Sequence, residues 1–290
     1  MEIRKNNGNI IVENITDFDL KHVFECGQCF RFENTGVNEY TGVARDKVIT
    51  LSHVGNELTL YNIDEEEFTS FWAPYLDLNR DYSHIKNALN VDERMTRAIS
   101  EGNGIRILGQ DLFETIVSFI ISQSNNIPRI KKIIEALCTH YGTPIEYRGK
   151  TYHSFPSPHI IAEADLTLIK AGFRDKYIKK ASAYISKNPD FLTQLKESDT
   201  ATAKSMLMSL DGIGNKVSDC ILLFGLNKTD SFPVDVWMHR IMQQLYFKKE
   251  CTKDEISKYA AEKFGAYSGY AQQYLFYYAL NHKSELKEGL

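Results

Sequence analysis

The period of the hydrophobic residues changes near Ile85, and this change constrains the fold more than any other feature of the chain. Before it, short β-branched and aromatic runs are broken by Gly and Asn, as in strands joined by turns. The predicted strands are Ile10–Val12, Cys29–Phe32, Val43–Val54 and Leu58–Tyr61. After it, apolar residues follow the helical spacing i, i+3, i+4, i+7, first at Phe113, Ile116, Val117 and Ile120.

This switch predicts an α+β protein with two parts. An antiparallel β-rich N-terminal domain, residues 1–90, would pack on a larger all-helical region, residues 91–290. Residues 143–158 hold several Pro and Gly residues and are predicted to form a loop. Because no Gly/Ser-rich linker separates the parts, we expect them to share an interface.

Composition excludes some classes of protein. With 290 residues, 43% of them hydrophobic, the chain can bury a sizeable core, and its net charge of −4 argues against a protein that coats nucleic acid nonspecifically. Basic groups in residues 129–132 and 171–180 leave room for a local DNA-facing surface, although solvated helix faces explain them equally well. No apolar run approaches the roughly 20 residues that span a bilayer. The five cysteines form no regular framework, so we expect reduced thiols and a cytoplasmic, intracellular protein.

Residues 201–226 predict a helical hairpin. Two apolar helical stripes flank Asp211-Gly212-Ile213-Gly214, where glycines permit positive φ and close approach of another molecule to the backbone. The free N–H groups and the dipole at the start of the second helix would bind an anion such as a DNA phosphate. An ordinary helical hairpin with a glycine turn remains the alternative.

Lys216 and Asp235 add chemistry to this hairpin. Lys216 lies in the first turn of the second helix, where partial burial and the helix dipole favour a neutral amine. Such an amine can attack a sugar carbon and later form a Schiff base. Asp235 precedes the next helical stretch as its N-cap, and an ionised carboxylate there would stabilise an oxocarbenium ion. A phosphate-binding lysine and a plain cap are the simpler interpretations.

These residues resemble the helix-hairpin-helix Gly/Pro…Asp superfamily of DNA glycosylases, and within it the 8-oxoguanine DNA glycosylase/AP lyase family. The resemblance starts from Leu210–Cys220 with Pro233-Val-Asp235. It extends, in family order over about 250 residues, to Gly27-Gln-Cys-Phe-Arg31, Ser122-Gln-Ser-Asn-Asn126-Ile-Pro-Arg129, Tyr152-His-Ser-Phe-Pro156, Gly172-Phe-Arg174 and Tyr270-Ala-Gln272-Gln-Tyr-Leu-Phe276.

The resemblance implies a bifunctional repair enzyme that flips 8-oxoguanine out of duplex DNA. Lys216 would attack C1′ of the damaged nucleotide, Asp235 would support departure of the base, and the resulting imine would permit strand cleavage by β-elimination. The expected partner is double-stranded DNA with 8-oxoguanine opposite cytosine, and the protein is expected to act as a monomer.

The same resemblance assigns the binding residues. The carbonyl of Gly27 would accept the N7 hydrogen that 8-oxoguanine has and guanine lacks, Gln272 would read the base edge, and Phe276 would stack on the base. Cys220, one turn after Lys216, would border this pocket. The predicted DNA-facing residues are Ser124, Asn125, Arg129, Phe173, Arg174 and the hairpin glycines Gly212 and Gly214. Arg129 and Arg174 match positions that contact the orphaned cytosine.

Four positions depart from the family pattern. Ser124 stands for an asparagine, Phe173 for a tyrosine, Trp237 for a histidine, and Ala279 for the acid that accompanies that histidine. These four residues bear on the contacts to the phosphates of the flipped nucleotide and on how strictly the protein selects the opposite base. They leave the expected reaction class unchanged.

The sequence also weighs against other functions. A single cysteine, Cys251, follows the Asp235 helix, so no iron–sulfur cluster is expected, and Cys26-x-x-Cys29 has no second pair for a metal. We expect no cofactor and no metal. A noncatalytic DNA-binding module and a glycosylase for another damaged base remain the alternatives. The first would not require Lys216 and Asp235 together.

Overall fold

The N-terminal part folds around an antiparallel sheet. A computed structural model describes residues 2–282, and within them the sheet has six strands in the order β1-β2-β6-β5-β4-β3. The strands are β1 (Glu2–Asn6), β2 (Asn9–Glu13), β3 (Phe32–Gly36), β4 (Glu39–Ala44), β5 (Lys47–Val54) and β6 (Glu57–Leu60). Central pairs such as Leu51 with Leu60 are fully buried, so the register places apolar side chains in the core.

The strand predictions place β2 and β6 correctly, join β4 to β5, and fail at the two edge strands. Val43–Val54 is two strands, because Arg45 has a φ of 56° and turns the chain between β4 and β5. Cys29–Phe32 is not a strand, since β3 begins only at Phe32. The edge strand β1 escaped prediction because its sequence, EIRKN, is mostly polar and exposed.

Helices begin well before residue 90, so the N-terminal segment is less purely β than predicted. These are α1 (Leu20–Glu25), α2 (Glu65–Glu67), α3 (Ala73–Tyr75) and α4 (Tyr82–Leu89), with a π-helical turn at Phe68–Trp72. The segment from 65 to 75 covers the sheet, and the Trp72 side chain is completely buried. The proposed domain boundary near residue 90 stays a prediction.

The helical part confirms the change of period. Its helices are α5 (Glu93–Glu101), α6 (Leu112–Ile121), α7 (Ile127–Tyr141), α8 (Pro158–Glu163), α9 (Asp175–Lys187), α10 (Phe191–Glu197), α11 (Thr200–Met208), α12 (Asn215–Leu226), α13 (Val236–Ile241), α14 (Lys253–Phe264) and α15 (Ser268–Asn281). Short 3-10 turns occur at Leu166–Ile169, Gly172–Arg174 and Gly265–Tyr267, and a π-helical turn at Met242–Phe247. Among the residues described, none of these helices has the length and apolar character needed to cross a bilayer.

The predicted loop at residues 143–158 is wrong, because residues 144–153 form a β-hairpin. Strands β7 (Pro144–Tyr147) and β8 (Lys150–His153) are joined by Arg148 and Gly149, with φ of 50° and 74°. Two successive positive φ values are what a two-residue hairpin turn needs. The hydroxyl of Tyr147 accepts a hydrogen bond from Thr50 N at 3.1 Å, so the hairpin docks on β5.

Two hydrophobic cores meet along the segment after α1. Cys29 and Phe32 pack into the core of the sheet, whereas Cys26 and Phe30 pack into the helical core. Gly27 therefore lies where the two cores join, and its position depends on how the N-terminal part packs against the helices.

Candidate active site

The hairpin of α11 and α12 forms as predicted, and its two glycines have different roles. Gly212 has a φ of 85°, and a Cβ there would overlap the ring of Tyr177. Gly214, the N-cap of α12, has a φ of −99° and faces open space. Gly212 is therefore required by the turn, whereas Gly214 leaves the first N–H groups of α12 open to an approaching anion.

Lys216 lies half-buried in the first turn of α12. Its Nζ donates to Ser122 Oγ at 3.3 Å and lies 5.5 Å from the centroid of the Phe119 ring. Cys220 follows one helical turn later. Burial raises the pKa of Cys220 to about 11, Lys216 lowers it, and the nearby charge of Asp235 raises it again. The sulfur is therefore a neutral thiol near pH 7, and the amine of Lys216 lines the same cavity.

Asp235 is the N-cap of α13, which confirms the predicted local role. Its Oδ1 accepts a hydrogen bond from Met238 N at 2.7 Å. The side chain is only partly buried and lines the same cavity as Lys216. One carboxylate oxygen therefore holds the helix start, while the carboxylate as a whole contributes negative charge to the cavity.

This cavity, of about 240 Å³, collects residues from distant parts of the sequence. It is lined by the six residues predicted for catalysis and base binding, namely Gly27, Lys216, Cys220, Asp235, Gln272 and Phe276. Gln272 is 5% exposed, and its buried Oε1 has no hydrogen-bond partner among the residues described. A buried acceptor without a partner costs about 1–3 kcal/mol, so this atom is suited to a donor from a bound molecule.

Gly27 approaches Phe276 across the cavity. Its φ is 82°, and a Cβ at this position would lie 3.1 Å from Phe276 Cε1 and 3.7 Å from Ile127 Cδ1. Both the backbone conformation and the close contact favour glycine. The loop after α1 can therefore place main-chain atoms, rather than a side chain, beside the cavity.

The predicted DNA-facing residues lie beside the cavity, and they differ in how exposed their side chains are. Arg129, in the first turn of α7, is exposed, and Phe173 is 54% exposed. Asn125 lines the cavity, and its Nδ2 donates to Ile121 O at 3.0 Å. Ser124 adopts a φ of 47°, a left-handed conformation that asparagine adopts more readily than serine.

Arg174 is the exception, because it is buried. Its guanidinium donates to Ala171 O at 3.0 Å, to Ser124 O at 3.1 Å and to Gln123 O, and lies 4.4 Å from the centroid of the Phe173 ring. In this structure Arg174 thus supports the turn after α6, and its contact with an orphaned base stays a prediction.

Sequence reasoning missed several residues that build the site. Phe119 and Ser122 contact Lys216, and Trp237, singled out as a departure from the family, lines the cavity.

Tyr177 packs on the hairpin glycine, and Lys180 pairs with Asp211 at 2.5 Å, so α9 supports the hairpin turn. Ala279 is fully buried on α15. Of these residues, Ser122 falls in a family-like block, Trp237 and Ala279 stand out as departures from the family, and Phe119 and Tyr177 gave no signal of a role in the site.

Comparison with known proteins agrees with this geometry. Residues 10–116 match the 8-oxoguanine DNA glycosylase N-terminal domain, and residues 117–266 match the HhH-GPD superfamily base excision DNA repair protein. The Saccharomyces cerevisiae N-glycosylase/DNA lyase is 29% identical, over 91% of this chain and 84% of its own length.

Two solved structures are more similar. MBOgg1 in complex with a low-affinity DNA ligand is 44% identical, with a TM-score of 0.95 over 97% of this chain and 99% of its own. The Clostridium acetobutylicum 8-oxoguanine glycosylase/lyase, bound to double-stranded DNA with cytosine opposite 8-oxoguanine, is 40% identical, with a TM-score of 0.95 over 98% of this chain and 99% of its own. The chain belongs to the 8-oxoguanine DNA glycosylase family of the HhH-GPD superfamily.

Proposed function

We propose that this protein excises 8-oxoguanine opposite cytosine from duplex DNA and then cleaves the strand at the resulting site. One observation carries the proposal: a single cavity holds the amine of Lys216, the carboxylate of Asp235 and the unpartnered Oε1 of Gln272. The relatives with this fold include an 8-oxoguanine glycosylase/lyase crystallised on such DNA.

Recognition would begin when the damaged nucleotide leaves the base stack, because its C1′ cannot be reached inside the duplex. Gln272 Oε1 would accept a hydrogen bond from an N–H group on the guanine edge, and Phe276 would stack on the ring. The Gly27 carbonyl would accept the N7 hydrogen of 8-oxoguanine. In guanine N7 is itself an acceptor, so the same carbonyl would repel the undamaged base.

The proposed chemistry uses the two side chains at the starts of α12 and α13, Lys216 and Asp235. The amine of Lys216, after losing a proton, attacks C1′, and the C1′–N9 bond breaks with its electron pair on the base, which then takes up a proton. The carboxylate of Asp235 stabilises the positive charge that develops on the sugar. Loss of a proton from nitrogen and opening of the sugar ring give a C1′=N imine. Removal of a C2′ proton then breaks the C3′–O3′ bond, and water releases Lys216.

The proposed DNA contacts surround this cavity. The first N–H groups of α12 would bind a phosphate, while Arg129 and Phe173 would face the duplex beside the orphaned cytosine. Arg129 lies in the first turn of α7 and is exposed, so the start of this helix would carry the basic side chain toward DNA. An intracellular, DNA-associated location is consistent with five free cysteines in the described chain.

Covalent trapping tests the proposal. The protein is incubated with a duplex that holds one 8-oxoguanine opposite cytosine, and borohydride is added to reduce the imine. The wild type should form a stable protein–DNA adduct, Lys216→Gln should form none, and the exposed control Lys187→Gln should match the wild type.

Undiminished trapping by Lys216→Gln would remove this lysine from the mechanism. Duplex binding without any trapping would favour a noncatalytic module, and trapping only on another lesion would identify a different base.

A further inference from the structure

We infer that Gln273 is a positioning residue for lesion recognition, because it fixes the backbone that presents the Gly27 carbonyl to the cavity. The inference rests on the proposed function, in which that carbonyl distinguishes 8-oxoguanine from guanine. Gln273 was not among the residues that the sequence singled out, and it neighbours Gln272 on α15.

Hydrogen bonds hold the backbone on both sides of Gly27. Gln273 Nε2 donates to the carbonyl of Cys26 at 2.8 Å, and both residues are almost completely buried. On the other side, Gln110 Nε2 donates to the carbonyl of Gln28 at 2.8 Å. Two of three consecutive carbonyls are thus held by amides from distant elements, whereas the middle one, of Gly27, has no partner among the residues described.

The side chain of Gln28 anchors the same loop from within. Its Nε2 donates to Val23 O at 2.9 Å and to Arg106 O at 2.7 Å, while its Oε1 accepts from Leu108 N at 3.0 Å. Gln28 is fully buried, and main-chain groups take both donors of its amide and one of its two acceptor positions. The loop after Gly27 is therefore held by hydrogen bonds that do not involve Gln273, and what Gln273 adds is control of the peptide plane before Gly27.

Glycine makes this control necessary. Gly27 has a φ of 82°, and glycine populates positive and negative φ about equally, so its two flanking peptide planes rotate easily. A rotated plane would turn the Gly27 carbonyl away from the base. Gln273 holds the peptide plane before Gly27, and the bonds of Gln28 and Gln110 hold the backbone after it. The direction of the Gly27 carbonyl is therefore set before a base arrives. Selective binding requires this kind of preorganisation.

The same helix, α15, carries Gln272, which would read the base edge, and Gln273, which holds the loop beside Gly27. Successive residues on a helix differ by about 100° in direction, so Gln272 can point into the cavity while Gln273, which also borders it, donates to the loop after α1. α15 thereby sets the spacing between the Gln272 amide and the Gly27 carbonyl. A purine that bonds to the Gln272 amide is therefore also placed correctly for the Gly27 carbonyl.

Gln273→Met tests the inference, because methionine keeps the length of the side chain and removes the donor. Single-turnover excision is measured opposite cytosine for 8-oxoguanine and for 8-oxo-7-deazaguanine, which lacks the N7 hydrogen. The wild type should prefer 8-oxoguanine, and Gln273→Met should lower that preference about tenfold. Cleavage at a preformed abasic site, where no base occupies the cavity, should change less than twofold.

Controls separate positioning from stability. Ile49→Val removes one methyl group from the sheet core and should leave the preference unchanged, and Gln273→Glu, assayed at low pH where the carboxyl is protonated and can donate, should restore part of it. An unchanged preference in Gln273→Met, or equal losses on all three substrates, would overturn the inference. Failure of the wild type to excise 8-oxoguanine would instead refute the proposed function.

Discussion

The residues proposed for chemistry and those proposed for recognition reach one cavity by different routes. Lys216 and Asp235 lie nineteen residues apart, at the starts of the consecutive helices α12 and α13. Gly27, Gln272 and Phe276 come from opposite ends of the chain. The chemical groups thus depend on local helix starts, whereas recognition depends on how the N-terminal core packs against the helical core. Variants that affect only one group of residues can separate the two.

The largest effect is expected from Asp235→Asn. Asparagine caps a helix as well as aspartate does, so the start of α13 should persist while the charge is lost. We expect single-turnover excision to slow by roughly 10²–10³-fold, the size seen when one electrostatic stabiliser is removed from an active site. Duplex binding should change less than twofold.

Asp199→Asn is the matched control, because Asp199 caps α11 through Thr202 N at 2.8 Å. It should keep the wild-type excision rate. A wild-type rate in Asp235→Asn would reduce Asp235 to a plain helix cap.

The hairpin glycines test the scaffold that carries Lys216. In Gly212→Ala, strained backbone and overlap with Tyr177 should lower the free energy of unfolding by about 2–3 kcal/mol. Gly214→Ala meets no atoms, so its loss should stay below about 1 kcal/mol. Urea denaturation measures both. Gly214→Ala should nevertheless weaken duplex binding, because the added methyl group would occupy the side from which a phosphate approaches. Equal stability losses would contradict the different roles assigned to these glycines.

Gly27→Ala should affect recognition and leave chemistry intact. The added Cβ strains a left-handed backbone and crowds Phe276, so affinity for an 8-oxoguanine duplex should fall about tenfold, which corresponds to roughly 1.4 kcal/mol. Affinity for the undamaged duplex should be unchanged. Fluorescence anisotropy in the Lys216→Gln background measures both affinities without turnover.

Gly149→Ala controls for backbone strain, since Gly149 has a φ of 74° and lies in the turn between β7 and β8, with no atom near its missing side chain. It should leave the ratio of the two affinities unchanged. Equal losses on damaged and undamaged DNA in Gly27→Ala would place base selection elsewhere.

Local patterns predicted the helical elements of the site well. Lys216 in the first turn of α12 and Asp235 as the cap of α13 follow from a glycine turn, a Pro-Val-Asp segment and the apolar stripes after them. These signals depend on neighbouring residues alone, because a cap and a helix start are satisfied within a few positions.

The errors have the opposite origin. Residues 143–158 contain enough Pro and Gly to indicate a loop, yet β7 and β8 pair around the turn at Arg148 and Gly149, and Tyr147 docks the hairpin on the distant strand β5. The buried state of Arg174 likewise depends on carbonyls near residue 123, about 50 positions away. Such contacts leave no local pattern in a single sequence.

The sequence by itself determined the change from strands to helices, the helical hairpin, the place of Lys216 in the first turn of α12 and the capping carboxylate of Asp235. Each of these rests on hydrogen bonds and apolar spacing within one or two helical turns. Only the tertiary structure decided that Gly27 and Phe276 would meet, that Gln272 would keep an unpartnered acceptor, and that Gln273 would hold the loop beside Gly27. Those features arise where the two cores join, since only close packing brings residues about 250 positions apart within hydrogen-bond distance.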